Sequence, residues 1–302
     1  MFSQRNFRRD FSLIVFASVS WGTVGVANRF LFASSTTNAL SLAFLRLAIA
    51  VPFFFAVTWI SLKRRLFEIK RADLGMMMLM GCLIALSQAL YIGAISYVGV
   101  SVSTLIAICA APVIVVLLSA IIAHERITAM TLIALVAAIG GTLLLIAAPA
   151  QSTMNGHVSL LGLLQAFLSA CGYAGFIFCG RQLTGSYPPL QISTVAFGTG
   201  ALLLFVCASA TRLALVYTPT GWLVLLYLGS VPTALGYGLF QAGIRSLSAT
   251  LASIVTMFEP LTATLLAWLL YHEVLGPAGL LGAGLLLCAM AMILLVPKKY
   301  FE

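Results

Sequence analysis

Apolar residues run along this chain in long, nearly unbroken blocks, near 11–32, 39–62, 73–97, 100–123, 128–148, 160–183, 190–211, 219–244, 246–276 and 277–296. They show neither the alternation of a half-buried strand nor the single stripe of a surface helix. A helix needs ~20 predominantly apolar residues to cross the hydrocarbon core of a bilayer, and each block supplies about that many. No water is available there, so the backbone has to satisfy itself, which a helix does within one segment. The pattern predicts an all-α polytopic membrane protein with ten transmembrane helices, spans 1 to 10 in chain order.

Polar interruptions within the blocks carry the next layer of information. Span 9 places Glu259 and Pro260 near its midpoint, a charge and a helix breaker at one depth. An ionisable side chain at that depth costs several kcal/mol unless it faces a bundle interior or a wet cavity, so it marks function by default. Pro260 lacks an N–H and leaves the carbonyl of Thr256 without its helical donor. Span 4 repeats the scheme: Pro112, His124 and Glu125 recur 148 positions later as Pro260, His272 and Glu273. At the same offset Ile106, Leu117 and Leu118 recur as Ile254, Leu265 and Leu266, and Gly81 and Ala94 as Gly229 and Ala242. The chain thus reads as a duplication, with a first repeat over 1–149 and a second over 150–302. The linker at 149–157 supplies turn residues in Ser152, Asn155 and Gly156. Five spans per repeat is an odd number, so the second copy enters the membrane inverted. Many secondary transporters share this plan and bind substrate at the repeat interface.

Composition agrees, being 62% hydrophobic and only 8% charged. The net charge of +9 would suggest nucleic acid in a water-soluble protein. Here the basic residues sit in short clusters between spans, which is topology information, and a nucleic-acid partner is not expected. One set of alternate loops collects Arg5, Arg8, Arg9, the Lys63–Arg71 cluster, Arg126, Arg181, Arg245, Lys298 and Lys299; the other holds Arg212, with Arg29 at the end of span 1. The positive-inside rule then puts both termini in the cytoplasm. Span 1 continues apolar through Trp21 without a small-residue cleavage site and reads as a retained helix. The six cysteines lie inside apolar blocks with no Cys-x-x-Cys and read as packing residues. His124 and His272 are expected on opposite membrane faces and His157 in the linker, so no metal site is expected. No phosphate-binding Gly-rich loop and no segment long enough for a soluble module occurs, which argues against an ATP-driven pump. No paired catalytic groups share one depth, and no cofactor is called for.

The candidate substrate-binding residues are those facing inward on the layers around the two prolines: Trp21, Gln88, Tyr91, Tyr173, Phe176, Tyr237, Gln241 and Glu259. They would line a cavity between the halves walled by spans 1, 3, 4, 6, 8 and 9. Pro112 and Pro260 are the candidate hinges. Trp21, Gly25 and Asn28 share a face, as a cavity wall or a close packing surface. Arg46, deep in span 2, requires a carboxylate, carbonyls or water and is either a structural anchor or a substrate contact. Glu125 and Glu273 are expected to cap the helices that follow them. Glu259 has no counterpart in the first repeat, where Ala111 stands. It would exchange a proton during a cycle, or, ionised, meet a substrate amino group, or else stand protonated and bonded to a neighbouring helix for stability.

On Phe44–Ala50 around Arg46, the Pro112 to Arg126 pattern and the run from Ser248 to Glu273, the chain resembles the drug/metabolite transporter superfamily, in its EamA-type branch of ten-helix exporters. The resemblance covers nearly the whole chain, and within the branch it is similar to bacterial aromatic amino acid exporters. It implies export of small metabolites, amino acids foremost, across the bacterial inner membrane, with a small-molecule substrate and the lipid bilayer as partners; a single chain is expected to suffice, although the sequence itself does not give the oligomeric state. Nucleosides, nucleotide-sugars and amphipathic cations are alternative cargoes, and a non-transporting membrane scaffold is the alternative class.

Overall fold

The structure, a computed structural model, describes residues 4–35, 37–125, 127–150, 159–211, 213–271 and 276–295. Arg126, His157, Arg212, His272, Glu273, Lys298, Lys299 and most of the expected linker lie outside the described residues. The elements are α1 (Gln4–Gly22), α2 (Val24–Ser34), α3 (Ala39–Leu62), a 3₁₀ turn (Lys63–Phe67), α4 (Arg71–Ile121), α5 (Ala129–Ala150), α6 (Leu160–Leu183), α7 (Pro189–Thr211), α8 (Pro219–Leu228), a π segment (Gly229–Leu235), α9 (Gly236–Gly243), α10 (Ala249–Thr256), α11 (Phe258–Tyr271) and α12 (Pro277–Leu295). Among the described residues, seven helical stretches are long and apolar enough to cross a membrane, and shorter apolar helices at 106–121, 129–144 and 277–293 occupy spans 4, 5 and 10. Pro189, Pro219 and Pro277 each open a helix, where the missing N–H has no partner to lose. Asn38, Thr218 and Ser248 cap α3, α8 and α10 through their side-chain oxygens. The bundle is coated with exposed apolar side chains such as Phe16, Ile60, Leu223 and Val216. Water would not tolerate such a surface and a bilayer demands it, so the chain is a multi-pass membrane protein.

Local structure departs from the expected spans at instructive points. Span 1 is two helices: the Thr23 hydroxyl donates to the Ser20 carbonyl at 2.7 Å, and the helix interrupts at Thr23. Spans 3 and 4 form one continuous helical path, α4, rather than two helices with a loop. It bends sharply, because Tyr91 Oη lies 2.5 Å from Thr104 Oγ1. In a straight helix those residues would be about 20 Å apart along the axis, beyond a tyrosine's reach. Glu125 does not cap α5. Thr128 Oγ1 takes the Thr131 N–H at 3.1 Å instead, since a β-branched hydroxyl directly before the helix sits closer to the open amides. Burial pushes the Glu125 carboxyl above the usual carboxylate range, while Arg181 and Ser119 hold it down.

Small residues let the helices approach. Gly172 on α6 lies against the Leu83 carbonyl of α4, Ser87 and Ser169 exchange hydrogen bonds at 2.8 Å, and Gly162 meets Tyr97, so α4 and α6 run antiparallel. Gly236 against Trp21 and Gly243 against Ile14 make the same arrangement between α9 and α1. Ser18 to Val255 and Gly22 to Glu259 run α1 parallel to α10 and α11. The sequence repeat reappears in these contacts. A Cβ on Gly81 would lie 2.3 Å from the Ala196 carbonyl of α7, and one on Gly229 would lie 2.5 Å from Ile49 Cβ of α3. These two glycines, 148 positions apart, make equivalent close approaches in the two halves.

The loops sort into two ends. Gln191 Nε2 donates to the Leu66 carbonyl at 2.9 Å, Tyr187 Oη to Asp73 at 2.7 Å, and Gly243 abuts Asp10. These contacts gather the segments that carry Arg8, Arg9, Lys63, Arg64, Arg65, Lys70, Arg71 and Arg245. At the opposite end Ala214 N–H donates to Ser41 Oγ at 2.9 Å, and Tyr217 pairs with Thr37. Among the described residues, these eight basic side chains thus belong to segments on one rim, consistent with the loop count.

Because Gly81 and Gly229 sit at backbone contacts, Gly81→Ala and Gly229→Ala should each lower the Tm of detergent-solubilised protein by roughly 5 °C, through about 1–3 kcal/mol of overpacking. Gly25→Ala, where no atom lies within 4 Å of an added Cβ, should leave it unchanged. Equal melting of all three would show that the helices do not touch at these glycines.

Candidate functional site

Three interruptions of regular helix are brought close together by the fold. The first is the α1/α2 break at Thr23. The second is the π segment that separates α8 from α9, with Pro232 inside it. The third separates α10 from α11 at Met257, whose N–H turns back to Ile254 and Val255. Pro260 lies in the first turn of α11, where a residue without an N–H is tolerated. The interruption that the Glu259–Pro260 pair implied is therefore present, three residues earlier than the proline. Pro112 is different: α4 passes through it without a break. The matched prolines thus have unlike surroundings.

The interruptions are joined to one another. Trp21 Nε1 donates to the Pro232 carbonyl at 2.8 Å, while the Gly236 N–H is directed to Val231 and Thr233. Gly22 packs on the Glu259 carbonyl and on Thr262, where a Cβ would lie 2.9 and 2.5 Å away, so only glycine fits. Thr233 Oγ1 donates to the Leu228 carbonyl at 2.7 Å and receives Arg46 Nη2 at 3.5 Å. Arg46 Nε is buried with no hydrogen-bond partner. Glu259, in the first turn of α11, gains from the positive end of that helix. It also lies within electrostatic range of Arg46, Tyr91, Tyr173 and Tyr237.

Around these polar groups stands an aromatic layer. Trp21 and Tyr237 have ring centroids 4.7 Å apart, and Tyr237 meets Phe197 at 4.7 Å and Phe176 at 5.8 Å. Tyr173 stacks on Phe176 at 6.3 Å, and Phe54 and Phe240 close the layer against Phe197 and Trp21. Of the sequence candidates, Trp21, Tyr173, Phe176 and Tyr237 come together here, with Glu259 and Tyr91 beside them. Gln241 lies one turn beyond Tyr237, fully buried against Gly180, with both amide atoms unpartnered. Gln88 is half-buried on α4, next to the Ser87–Ser169 crossing. Sequence reasoning passed over Phe54, Phe197, Phe240 and Thr233. A phenylalanine in a uniformly apolar helix carries no sign of which side faces protein. Pro232 between Gly229 and Gly236 was the available signal for the π segment, which recurs at functional sites.

Among the described residues, two grooves on the outer surface are lined apart from the aromatic layer, save for the edge of Phe54. One, of about 550 Å³, lies between α2, α8 and α11 and includes Thr23 and Tyr227, whose hydroxyls are 2.7 Å apart. The other, of about 610 Å³, lies between α3, the start of α7 and α9.

Comparison with known proteins adds the family. The chain matches the model of the EamA-like transporter family twice, over residues 11–147 and 160–295. It is 29% identical over 286 residues to the uncharacterized transporter YwfM of Bacillus subtilis, covering 95% of this chain and 94% of that one. An uncharacterized transporter of Archaeoglobus fulgidus is 28% identical over 278 residues, with 92% and 93% covered. A crystal structure at 19% identity superposes with a TM-score of 0.81 over 97% of this chain and 99% of its own, which shows a shared fold. With both repeats matched and the bundle interior built around interrupted helices, the chain belongs to the EamA-like transporter family and is a membrane transporter.

Proposed function

We propose that the protein exports small zwitterionic metabolites, amino acids with aromatic or other neutral side chains, across a bacterial inner membrane. The observation that carries this reading is the juxtaposition of Arg46, Glu259 and an aromatic layer where three interrupted helices meet. A free amino acid presents an ammonium, a carboxylate and a side chain. Glu259 at the start of α11 suits the ammonium, and Arg46, its Nε unpartnered, suits the carboxylate. The rings of Trp21, Phe176 and Tyr237 suit an apolar or aromatic side chain. Gln241, with an unused amide, and Tyr91, Tyr173 and Gln88 would form the rest of the path between repeats 1–149 and 150–302.

The two halves differ where an alternating-access cycle needs them to differ. Spans 1, 8 and 9 are interrupted, whereas α6, which corresponds to span 1, and the parts of α4 that correspond to spans 8 and 9 are continuous. In an inverted repeat, exchanging those conformations opens the opposite side. Pro260 marks the break in use and Pro112 the break to be used in the exchanged state. The basic rim faces the cytoplasm by the positive-inside rule, with both termini there.

Growth of a sensitive host on toxic aromatic amino-acid analogues, with and without the protein, tests the cargo. Tyr237→Ala and Arg46→Gln should each cut efflux at least tenfold at unchanged membrane abundance. Arg46→Gln should spare an aromatic amine that lacks the carboxylate. Equal loss of both cargoes would leave Arg46 a structural anchor.

Glu259→Gln keeps hydrogen bonding and removes charge and titration. In liposomes with imposed proton or sodium gradients, the variant should lose transport, or lose its pH dependence, while retaining the wild-type Tm. Wild-type rate and pH profile would make Glu259 structural. Pro112→Ala should slow turnover several-fold while leaving substrate affinity within about twofold, since it removes only the break of the exchanged state. Unchanged turnover would remove Pro112 from the cycle.

A further inference from the structure

The groove between α3, the start of α7 and α9 is not used by the proposed transport path, and its chemistry is unlike that of the interior. Its walls are largely apolar, with Phe53, Val57, Leu190, Leu235 and Leu239 among the lining residues. Its few hydroxyls are already committed, Ser61 to the Val57 carbonyl at 2.9 Å, Ser230 to the Leu226 carbonyl at 2.7 Å, and Thr58 to Thr194 at 3.0 Å. A polar solute would therefore find no free hydroxyl donor among them. Along α3 the groove extends from Phe53 to Leu62, about 14 Å at 1.5 Å per residue, close to half of the ~30 Å hydrocarbon core. It is as long as one leaflet is deep.

Its mouth is at the basic rim. The chain leaves α3 through Lys63, at φ 49° with its N–H on the Trp59 carbonyl, and enters the 3₁₀ turn that presents Lys63, Arg64 and Arg65, all exposed. From the other wall, exposed Arg245 follows Ala242, the last α9 residue in the groove, by three positions. Cations thus flank the open end of a leaflet-deep apolar slot.

We propose that this groove is a binding site for an anionic phospholipid of the leaflet on the basic side, one acyl chain lying between α3 and α9 and the headgroup phosphate held by Lys63, Arg64, Arg65 and Arg245. Basic clusters beside gaps between transmembrane helices recognise anionic headgroups in this way, through charge at the surface and burial below it. Gly238 leaves the slot open: a Cβ there would meet only Leu190 at 3.5 Å and Phe54 at 3.7 Å, so a large side chain fits at the expense of the groove.

Native mass spectrometry of the purified full-length protein, offered equimolar phosphatidylglycerol and phosphatidylcholine of matched acyl chains, tests this. Wild type should retain phosphatidylglycerol in preference by on the order of tenfold, since each surface cation contributes a severalfold gain. The triple variant Lys63→Gln, Arg64→Gln, Arg65→Gln should lose the preference, and raising salt on wild type should weaken it without any substitution. Gly238→Phe should lower occupancy by both lipids. Excess inorganic phosphate should not displace the bound lipid, because the acyl chain holds it. No preference in wild type, an unchanged preference in the triple variant and at high salt, full occupancy in Gly238→Phe, or displacement by phosphate would each overturn the proposal.

Discussion

Within a bilayer core each backbone N–H and C=O has to find its partner in the protein, because the solvent offers none. A break in a helix is therefore costly unless side chains take over the bonds it releases. In this structure they do. Thr23 donates to the Ser20 carbonyl, Thr233 to Leu228, Ser253 to Thr250, Thr256 to Ser253, and the Trp21 indole to Pro232. Of these only the indole bond joins two helices, and such a bond is worth roughly 0.6–2 kcal/mol, enough to hold a break in place without locking it. The irregular parts of spans 1, 8 and 9 are mutually supporting, and the aromatic layer and Arg46 are arranged around them.

That mutual support explains why the irregularity is confined to one set of symmetry-related spans. The close approach of Gly22 to α11 and the indole bond to the π segment both require their partner to be broken. In the equivalent set, Ser87 and Ser169 bond across two unbroken helices, and Gly172 packs on an intact α4. The duplicated sequence thus adopts two conformations at once, a property that alternating access in inverted repeats depends on. The glycines common to both halves, Gly81 and Gly229, keep the surrounding scaffold alike while the centre differs.

The outer surface follows another rule. It faces lipid, so its side chains are apolar and packing there is loose enough to leave grooves. Where such a groove reaches the basic rim, hydrophobic burial and surface charge act on the same molecule, and the lipid is a structural partner as well as a solvent.

What the sequence determined by itself was everything set by length, hydropathy and repetition. Helices of bilayer length, the basic rim, the 148-residue repeat and the helix break near Glu259–Pro260 follow from the residues, because the membrane imposes one solution on an apolar segment. Trp21, Tyr173 and Tyr237 were legible as inward residues because polar tips marked their side, and Phe176 because it lies three positions from Tyr173 on the same helix. Tertiary structure alone decided the rest. Phe54, Phe197 and Phe240 join the layer although they resemble lipid-facing phenylalanines such as Phe205. Lipid and protein interior are equally apolar, so hydropathy gives no inside and outside. Helix ends also escaped. Thr23 interrupts span 1, no loop separates α4 into two helices, and α4 runs on through Pro112 while Pro260 follows a break. A proline or threonine sets only which backbone bonds are available, and the neighbouring helices decide which of them is made.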